Sequence, residues 1–270
     1  MLFKHEVIEN IIQMSQNRVE FEQTRFKYKE FFEKDNNKEN IVNQLKIKGF
    51  YVIENYYNKE LCKELISEIE NIQEKYRNTE FLQIDNQNSD HRLFGAENAS
   101  KLIREFYSDE FLLDIGSRYL GCKLLNSNTL ATKLVYKPNN IGSGGGWHVD
   151  SHHFQFKAII YLSDVDEGNG PFQIIQNSHR SGNVLRNIKT MDIDTLTTRY
   201  KDGQVKKVID ENPDNLITLT AKAGTLILVD TSAIHRGKPI ETCTRYTLFN
   251  YYYPIWINIK IMREKFNTIK

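Results

Sequence analysis

From about residue 124 onward, the sequence is a series of short β-favouring runs separated by glycine, asparagine, aspartate and proline turns. Short strands at this spacing are typical of a sandwich or barrel, whereas parallel βαβ units would need helical patterns between them. The sequence therefore predicts a mainly β core, with strands at 129–136, 156–162, 172–175, 216–219, 226–229 and 245–253.

The first 121 residues have a helical pattern instead. Apolar residues share one helical face over 1–34, where the polar cluster 35–37 is expected to end the helix. A second helix is predicted over 39–48 and closed by Gly49, followed by a β-rich run at 50–53. Asn58 is a good N-cap for a third helix. Residues 99–119 are also predicted helical, with Ser108 capping a second segment.

One stretch of the β-rich half is not explained by strands. Residues 179–214 are polar, mixed in charge and too long for an ordinary connection, so they form a candidate lid. We expect one domain over 1–270, in which 1–121 is a mainly helical frame and 122–255 is the β core.

The charge balance excludes some classes of partner. The chain of 270 residues has 36 Lys and Arg against 35 Asp and Glu, which gives a net charge of +1. A nucleic-acid binder normally has a basic excess, so we expect none here. No apolar run of membrane-spanning length is present. Three separated cysteines, Cys62, Cys122 and Cys243, indicate reduced thiols in a cytoplasm.

A candidate metal site lies in the segment GGGWHVDSHH. His148 and Asp150 are two residues apart, so on an extended backbone both side chains point to the same face. His235, which follows the apolar run TLILVD and a tight turn, offers a third ligand. Two imidazoles and one carboxylate leave coordination positions open, an arrangement that suits non-haem Fe(II) oxygenases.

A candidate carboxylate site follows ten residues after His235. Arg245 and Thr247 alternate onto one face of the strand TRYTLFNYY. A guanidinium on a rigid strand, with a hydroxyl two residues on, is suited to holding a carboxylate. A dicarboxylic co-substrate would then extend from Arg245 to the metal.

Other residues give weaker predictions. Lys133 shares one face of its strand with Val135 and is a further candidate for the co-substrate carboxylate. Gln155 and Lys157 reach the pocket only if a turn or bulge precedes them. A zinc site of His148 and His152 would require a helix, which three adjacent glycines oppose.

Four sequence blocks resemble the phytanoyl-CoA dioxygenase family of Fe(II)- and 2-oxoglutarate-dependent oxygenases. They are WHVD, DVDEGNGPFQIIQNSHR, AGTLILVDTSAIHRG and the strand that carries Arg245. The segments IKGFYVIENYYNKELCKELISEI and FYSDEFLLDIGSRYLG resemble the helical part of that family, so the resemblance spans about 42–253. It implies a double-stranded β-helix, or cupin-like jelly roll, flanked by amino-terminal helices.

The resemblance also implies roles for individual residues. His148, Asp150 and His235 would bind Fe(II), while Arg245 and Thr247 would hold the distal carboxylate of 2-oxoglutarate. The expected reaction uses O2, releases succinate and CO2, and most often hydroxylates a C–H bond of a small-molecule metabolite. Because Asp150 is present, halogenation is not expected.

Two alternatives remain open at this point. The same cofactors support desaturation, epimerisation or cyclisation in a biosynthetic pathway. A jelly roll of this kind can also be a non-catalytic module that binds a carboxylate ligand. The oligomeric state and the substrate itself are not predicted.

Overall fold

The computed structural model describes residues 32–269. The helical face predicted over 1–34 lies outside them apart from 32–34, which are not helical. The described helices are α1 (Asn36–Lys48), α2 (Lys59–Lys75), α3 (Lys101–Tyr107), α4 (Glu110–Leu120), α5 (Ser181–Met191), α6 (Asp202–Glu211) and α7 (Ile259–Lys265). The strands are β1 (Phe50–Ile53), β2 (Leu82–Ile84), β3 (Asp90–Phe94), β4 (Leu124–Val135), β5 (Phe156–Tyr161), β6 (Phe172–Ile175), β7 (Leu216–Leu219), β8 (Leu226–Asp230), β9 (His235–Gly237) and β10 (Thr244–Pro254).

The helix ends follow local capping chemistry. Gly49 closes α1 with a φ of 89°, and the Asn58 side chain accepts a hydrogen bond from the Leu61 backbone N–H, so both predicted caps are confirmed. Asp35 begins α1 by accepting from two backbone N–H groups, so the helix starts at Asn36 rather than at the predicted residue 39. Asp109, rather than Ser108, caps α4, because Ser108 is the C-cap of the preceding helix.

The strands form two antiparallel sheets. The larger sheet has the order β1-β8-β5-β10-β4-β3-β2, and the smaller has the order β7-β6-β9. Each strand predicted from the sequence is present to within a few residues of its expected ends. The two sheets and their crossovers make the double-stranded β-helix that the resemblance implied.

The two faces of the larger sheet have different neighbours. On the outer face, α1 to α4 pack against the strands, and buried residues of both form one apolar cluster that includes Leu45, Ile69, Ile115, Phe156 and Leu248. On the inner face, a second cluster joins β5 and β8 to the smaller sheet through Ile159, Phe172, Ile174, Leu219 and Val229. Two residues of this inner cluster, Ile159 and Phe172, also line the cavity in which the polar residues of the site lie.

The predicted lid segment, 179–214, consists mainly of α5 and α6. Met191 and Val205 of these helices pack with Trp147 and Val149, which flank His148 in the chain. The backbone of 198–200 also pairs with 147–149, through bonds of 2.9 Å from Val149 N–H to the Thr198 carbonyl and from Tyr200 N–H to the Trp147 carbonyl. The segment is therefore tied to the candidate metal site, and its movement as a lid stays a prediction.

Within residues 32–269, no helix combines the length and the apolar character that crossing a membrane requires.

Candidate metal and co-substrate site

Backbone pairing brings the two candidate histidine ligands together. His148 N–H donates to the His235 carbonyl, and His235 N–H donates to the His148 carbonyl, each over 2.9 Å. Residues that exchange both bonds lie directly opposite each other on antiparallel chains, and their side chains share one face. The two imidazole rings accordingly lie with their centroids 4.2 Å apart.

The ring nitrogens of both histidines are arranged alike. Nδ1 of His148 lies 2.8 Å from the Gly146 carbonyl, and Nδ1 of His235 lies 2.9 Å from the Ala233 carbonyl. A carbonyl only accepts, so Nδ1 carries the proton in each ring and Nε2 keeps its lone pair. The Nε2 atoms lie 3.7 Å and 3.8 Å from the Asp150 carboxylate, for His148 and His235 respectively.

These three side chains form a group that can hold a metal ion. One ligand atom from each of His148, Asp150 and His235 lies within 4.8 Å of the others. Burial, followed by the neighbouring His235 ring, lowers the pKa of His148 to about 3, and burial also lowers the pKa of His235. Both rings are therefore neutral at physiological pH, which is the form that binds a metal.

The Asp150 carboxylate has a second, unpredicted partner. Lys157 Nζ lies 2.6 Å from Asp150 Oδ2, and the ammonium is buried. Burial alone would raise the pKa of Asp150, but the Lys157 ammonium holds it well below its usual range. Burial likewise opposes the charge on Lys157, yet Asp150 raises the pKa of the ammonium. Both groups are thus charged at neutral pH.

A change of chain direction explains how Lys157 reaches the site. Residues 150–155 are bent rather than extended, and β5 begins only at Phe156. Gln155 and Lys157 both line the cavity as a result, which fulfils the condition set from the sequence. The same bent backbone rules out a helix there, so His148 and His152 do not share a helical face.

The glycine loop packs so closely against the candidate metal ligand His148 that one of its positions has no room for a side chain. Gly144 has a φ of 91°, and a Cβ at this position would lie 2.7 Å from Cε1 of His148. Any other residue would be strained in this conformation and would push the imidazole out of place.

Sequence reasoning missed Asp230, which holds the turn before His235. Its buried carboxylate accepts hydrogen bonds from the backbone N–H groups of Gln155 and Ser232 and from the Tyr119 hydroxyl. One side chain therefore joins α4 to the two loops that lead into the strands of Lys157 and His235. No motif marks it, because the sequence shows only an aspartate at the end of an apolar run.

Arg245 lies on the cavity wall with part of its guanidinium unpaired. The side chain is 2% exposed, and Nη1 donates to the Gly170 carbonyl. Nε is buried without a hydrogen-bond partner among the described residues. Burial lowers the pKa of Arg245, but an arginine keeps its charge in a protein. A buried cation with an unused donor is costly unless a ligand pairs with it.

Thr247 shares the face of β10 with Arg245 but has a protein partner. The Thr247 hydroxyl is fully buried and hydrogen-bonds to the hydroxyl of Thr132 on β4. Thr247 does not line the cavity. Its predicted contact with a carboxylate stays a prediction.

The position of Lys133 corrects the prediction made for it. Lys133 lies opposite Tyr246 on β10, whereas its neighbour Leu134 lies opposite Arg245, so Lys133 and Arg245 project from opposite faces of the sheet. Its ammonium forms an ion pair of 2.7 Å with Glu70 of α2. Lys133 therefore ties a helix to the outer face of the sheet and does not line the cavity.

The site opens into a cavity of about 770 Å³. Its wall includes His148, Asp150, His235 and Arg245, so the candidate metal ligands and the partly unpaired guanidinium face the same space. Aromatic side chains from β10, together with Phe94, Trp256 and Phe266, line much of the remainder.

A family model described as phytanoyl-CoA dioxygenase (PhyH) matches residues 45–245, about three quarters of the chain. The chain belongs to this family. The match contains the candidate site residues from Lys133 to Arg245, whereas Thr247 lies two residues beyond its end. It confirms the resemblance found in the sequence.

Individual relatives are more distant. An ectoine dioxygenase of Bordetella parapertussis is 22% identical over an alignment of 205 residues that covers 69% of this chain. The matched part spans about 65% of that enzyme's length. EctD from S. alaskensis with bound 2-oxoglutarate and 5-hydroxyectoine is 16% identical, with a TM-score of 0.61 over 79% of this chain and 75% of that one.

Two further solved structures share the fold. HygX from Streptomyces hygroscopicus, with nickel and 2-oxoglutarate bound, is 16% identical with a TM-score of 0.59 over 81% of this chain and 88% of that one. The epimerase SnoN, in complex with Fe3+, alpha ketoglutarate and nogalamycin RO, is 13% identical with a TM-score of 0.59 over 81% and 84%. At these identities the likeness establishes a common fold.

Proposed function

We propose that this protein is an Fe(II)- and 2-oxoglutarate-dependent dioxygenase that hydroxylates a C–H bond of a small-molecule metabolite. One observation carries the proposal. A two-histidine, one-carboxylate cluster and a buried arginine with an unpaired Nε face the same cavity. Family membership and the Fe- and 2-oxoglutarate-bound proteins of the same fold agree with it.

The donor set fits iron. Two neutral imidazoles and one carboxylate on one side of an ion leave positions for a co-substrate and O2, which is the pattern of non-haem Fe(II) oxygenases. The carbonyls of Gly146 and Ala233 orient the two rings so that both Nε2 lone pairs are available. We assign His148, Asp150 and His235 as the iron ligands.

The cavity also fits the dicarboxylic co-substrate. The unpaired Nε of Arg245 provides a charge-assisted donor for the carboxylate remote from the metal, at a position where water is excluded. The strand fixes this guanidinium, so little rotational freedom remains to be lost on binding. Thr247 is a second candidate for this carboxylate only if its hydroxyl leaves Thr132.

The chemistry that bound Fe(II), 2-oxoglutarate and O2 supply is oxidation of a C–H bond with release of succinate and CO2. The residues of this chain orient these groups and the substrate and keep bulk water away from them. Lys157 holds one oxygen of Asp150, which restricts the directions in which the carboxylate can face a metal.

Oxygen-dependent formation of succinate tests the proposal. Purified protein with Fe(II) and 2-oxoglutarate should release succinate above a metal-free control, and Asp150→Ala should lose that release. Mass spectrometry of a turned-over substrate then separates the reactions, because hydroxylation adds one oxygen and desaturation removes two hydrogens. Protein that binds both ligands but forms no iron-dependent succinate with any substrate would instead be a carboxylate-binding module.

A further inference from the structure

The charge of the cavity is far from the balance of the whole chain. Among the described residues that line it, five are lysine or arginine and a single one is acidic, Asp150. The cations are Arg92, Lys157, Arg199, Arg245 and Lys265. The complete sequence, by contrast, has nearly equal numbers of acids and bases. The wall therefore favours a negatively charged occupant beyond the co-substrate.

Four of these cations already have a partner or an assigned role, or are exposed to solvent. Arg245 is assigned to the co-substrate and Lys157 pairs with Asp150. Arg199 donates to the Gly144 carbonyl over 2.6 Å, and Lys265 is exposed near the end of α7. Arg92 is the remaining cation of the inner wall.

Arg92 is held so that one edge of its guanidinium is left over. Its Nε lies 2.7 Å from the buried carboxylate of Asp90, and Nη2 makes only a long contact of 3.5 Å to the Ser143 hydroxyl. Asp90 is also hydrogen-bonded to Ser143 and Gly144, so it is fixed from several sides. The contact with Asp90 orients the Arg92 guanidinium. The edge formed by its two Nη atoms remains for a ligand.

An aromatic surface lies beside Arg92. Phe94 follows two residues later on the same face of β3 and stacks on Phe266 with ring centroids 4.9 Å apart. Tyr251 lies 5.3 Å from Phe266 and 5.9 Å from Phe94 by the same measure. Lys157 in turn lies 3.9 Å from the Tyr251 ring centroid. These three rings, the aromatic wall, therefore lead from Arg92 toward the candidate metal site.

We propose that the substrate is a small carboxylic acid with an aromatic or other apolar body, and that Arg92 binds its carboxylate while the aromatic wall holds its body. The proposal rests on the proposed function, because Arg245 must be occupied by 2-oxoglutarate for Arg92 to be the available cation. One free guanidinium edge matches the single charge of a carboxylate. A cavity of about 770 Å³ has room for two small molecules of this kind.

The test compares three probe molecules that share a phenyl ring on a three-carbon chain and differ in charge. Protein is loaded anaerobically with Mn(II) and saturating 2-oxoglutarate, which fills the Arg245 site and prevents turnover. Titration calorimetry then measures binding of 3-phenylpropanoate, 3-phenylpropanamide and 3-phenylpropylamine. We expect the acid to bind about tenfold tighter than the amide, and the amine to bind least.

The variants identify the residue responsible. Asp90→Asn combined with Arg92→Gln removes both members of the ion pair, so no unpaired charge is left buried. This double variant should bind the acid and the amide equally, whereas Phe266→Ala should weaken both by a similar factor. Lys206→Gln, on an exposed ion pair of α6, is the matched control and should bind like the wild type.

The outcomes separate the two proposals. If calorimetry shows no binding response of the folded protein to Mn(II) and 2-oxoglutarate, the proposed function is wrong. If that response is present, equal binding of acid and amide by the wild type overturns the carboxylate assignment. An acid preference that survives the double variant overturns the role of Arg92, and no binding of any probe overturns the aromatic wall.

Discussion

At the scale of single residues, the feature that most affects the site is the buried contact between Lys157 and Asp150. Burial removes water from both charged groups, and each group is the main stabilising partner of the other. Removing one partner of such a pair leaves an uncompensated buried charge, which costs about 3 to 5 kcal/mol. Lys157→Met should therefore destabilise the metal-free protein by about this amount, as measured by urea unfolding.

Binding of Fe(II) should reduce this loss, because the metal replaces the ammonium as a positive partner of Asp150. Lys206→Met provides the comparison, since its exposed pair with Asp210 should contribute at most about 1 kcal/mol. Equal destabilisation by the two substitutions would show that the Lys157 pair has no special role.

The residues of the site differ in how far the sequence could predict them. His148 and Asp150 are two positions apart and Arg245 follows His235 by ten, so spacing alone suggested a shared site. Arg92 and Lys157 lie outside every motif, and their approach depends on strand pairing and on the bend at 150–155. Lys133 was assigned incorrectly because alternation along one strand does not tell which face is the inner one.

At the scale of elements, the contact of α4 with β5 depends on a glycine. A Cβ on Gly116 would lie 2.4 Å from Cδ1 of Phe156. Gly116→Ala should therefore destabilise the fold by about 1 to 3 kcal/mol through overpacking. Gly182→Ala in α5, where a Cβ would meet nothing within 4 Å, should stabilise by about 0.5 to 1 kcal/mol. Urea unfolding measures both, and shifts of the same sign would contradict this account of the packing.

A second prediction concerns the link between α2 and the sheet. Burial opposes the charge on Glu70, but hydrogen bonds from Lys133 and Tyr246 lower its pKa overall. A lowered pKa in the folded state contributes stability above the ordinary value of about 4.3, and this is lost as the pH falls through the folded value.

Glu70→Gln should consequently be less stable than the wild type at pH 7, by at most about 1 kcal/mol for a half-exposed pair. The difference should shrink as the pH is lowered below 4.3. Urea midpoints of both proteins across this range check the prediction, and a difference that is constant with pH would refute it.

The elements also show the limit of pattern reasoning. The run 172–175 is apolar and bounded by turns, so β6 was predicted with its true ends. β9 has only the residues His-Arg-Gly, and a strand this short has no apolar alternation to reveal it. α5 and α6 were missed because the polar, mixed-charge stretch 179–214 was interpreted as a long connection and candidate lid, although both helices bury an apolar stripe.

At the scale of the whole molecule, the helices and the larger sheet share one apolar cluster. Because neither part could bury its apolar face alone, we propose that they fold as a single domain. Composition describes this molecule poorly in one respect. The near-zero net charge concerns the whole chain, whereas the described lining of the cavity is strongly cationic.

Anaerobic thermal melting with Fe(II) and 2-oxoglutarate is the most direct test of the central claim, that one cavity binds both. Each ligand at about a hundredfold over its dissociation constant stabilises a fold by about 2.7 kcal/mol, or roughly 5 to 10 °C for a chain of this size. We expect the rise with both ligands to exceed the rise with either one alone, and this additional rise to be lost in Asp150→Ala and in Arg245→Gln. No rise in folded wild-type protein, or a rise that both variants retain, would contradict the account.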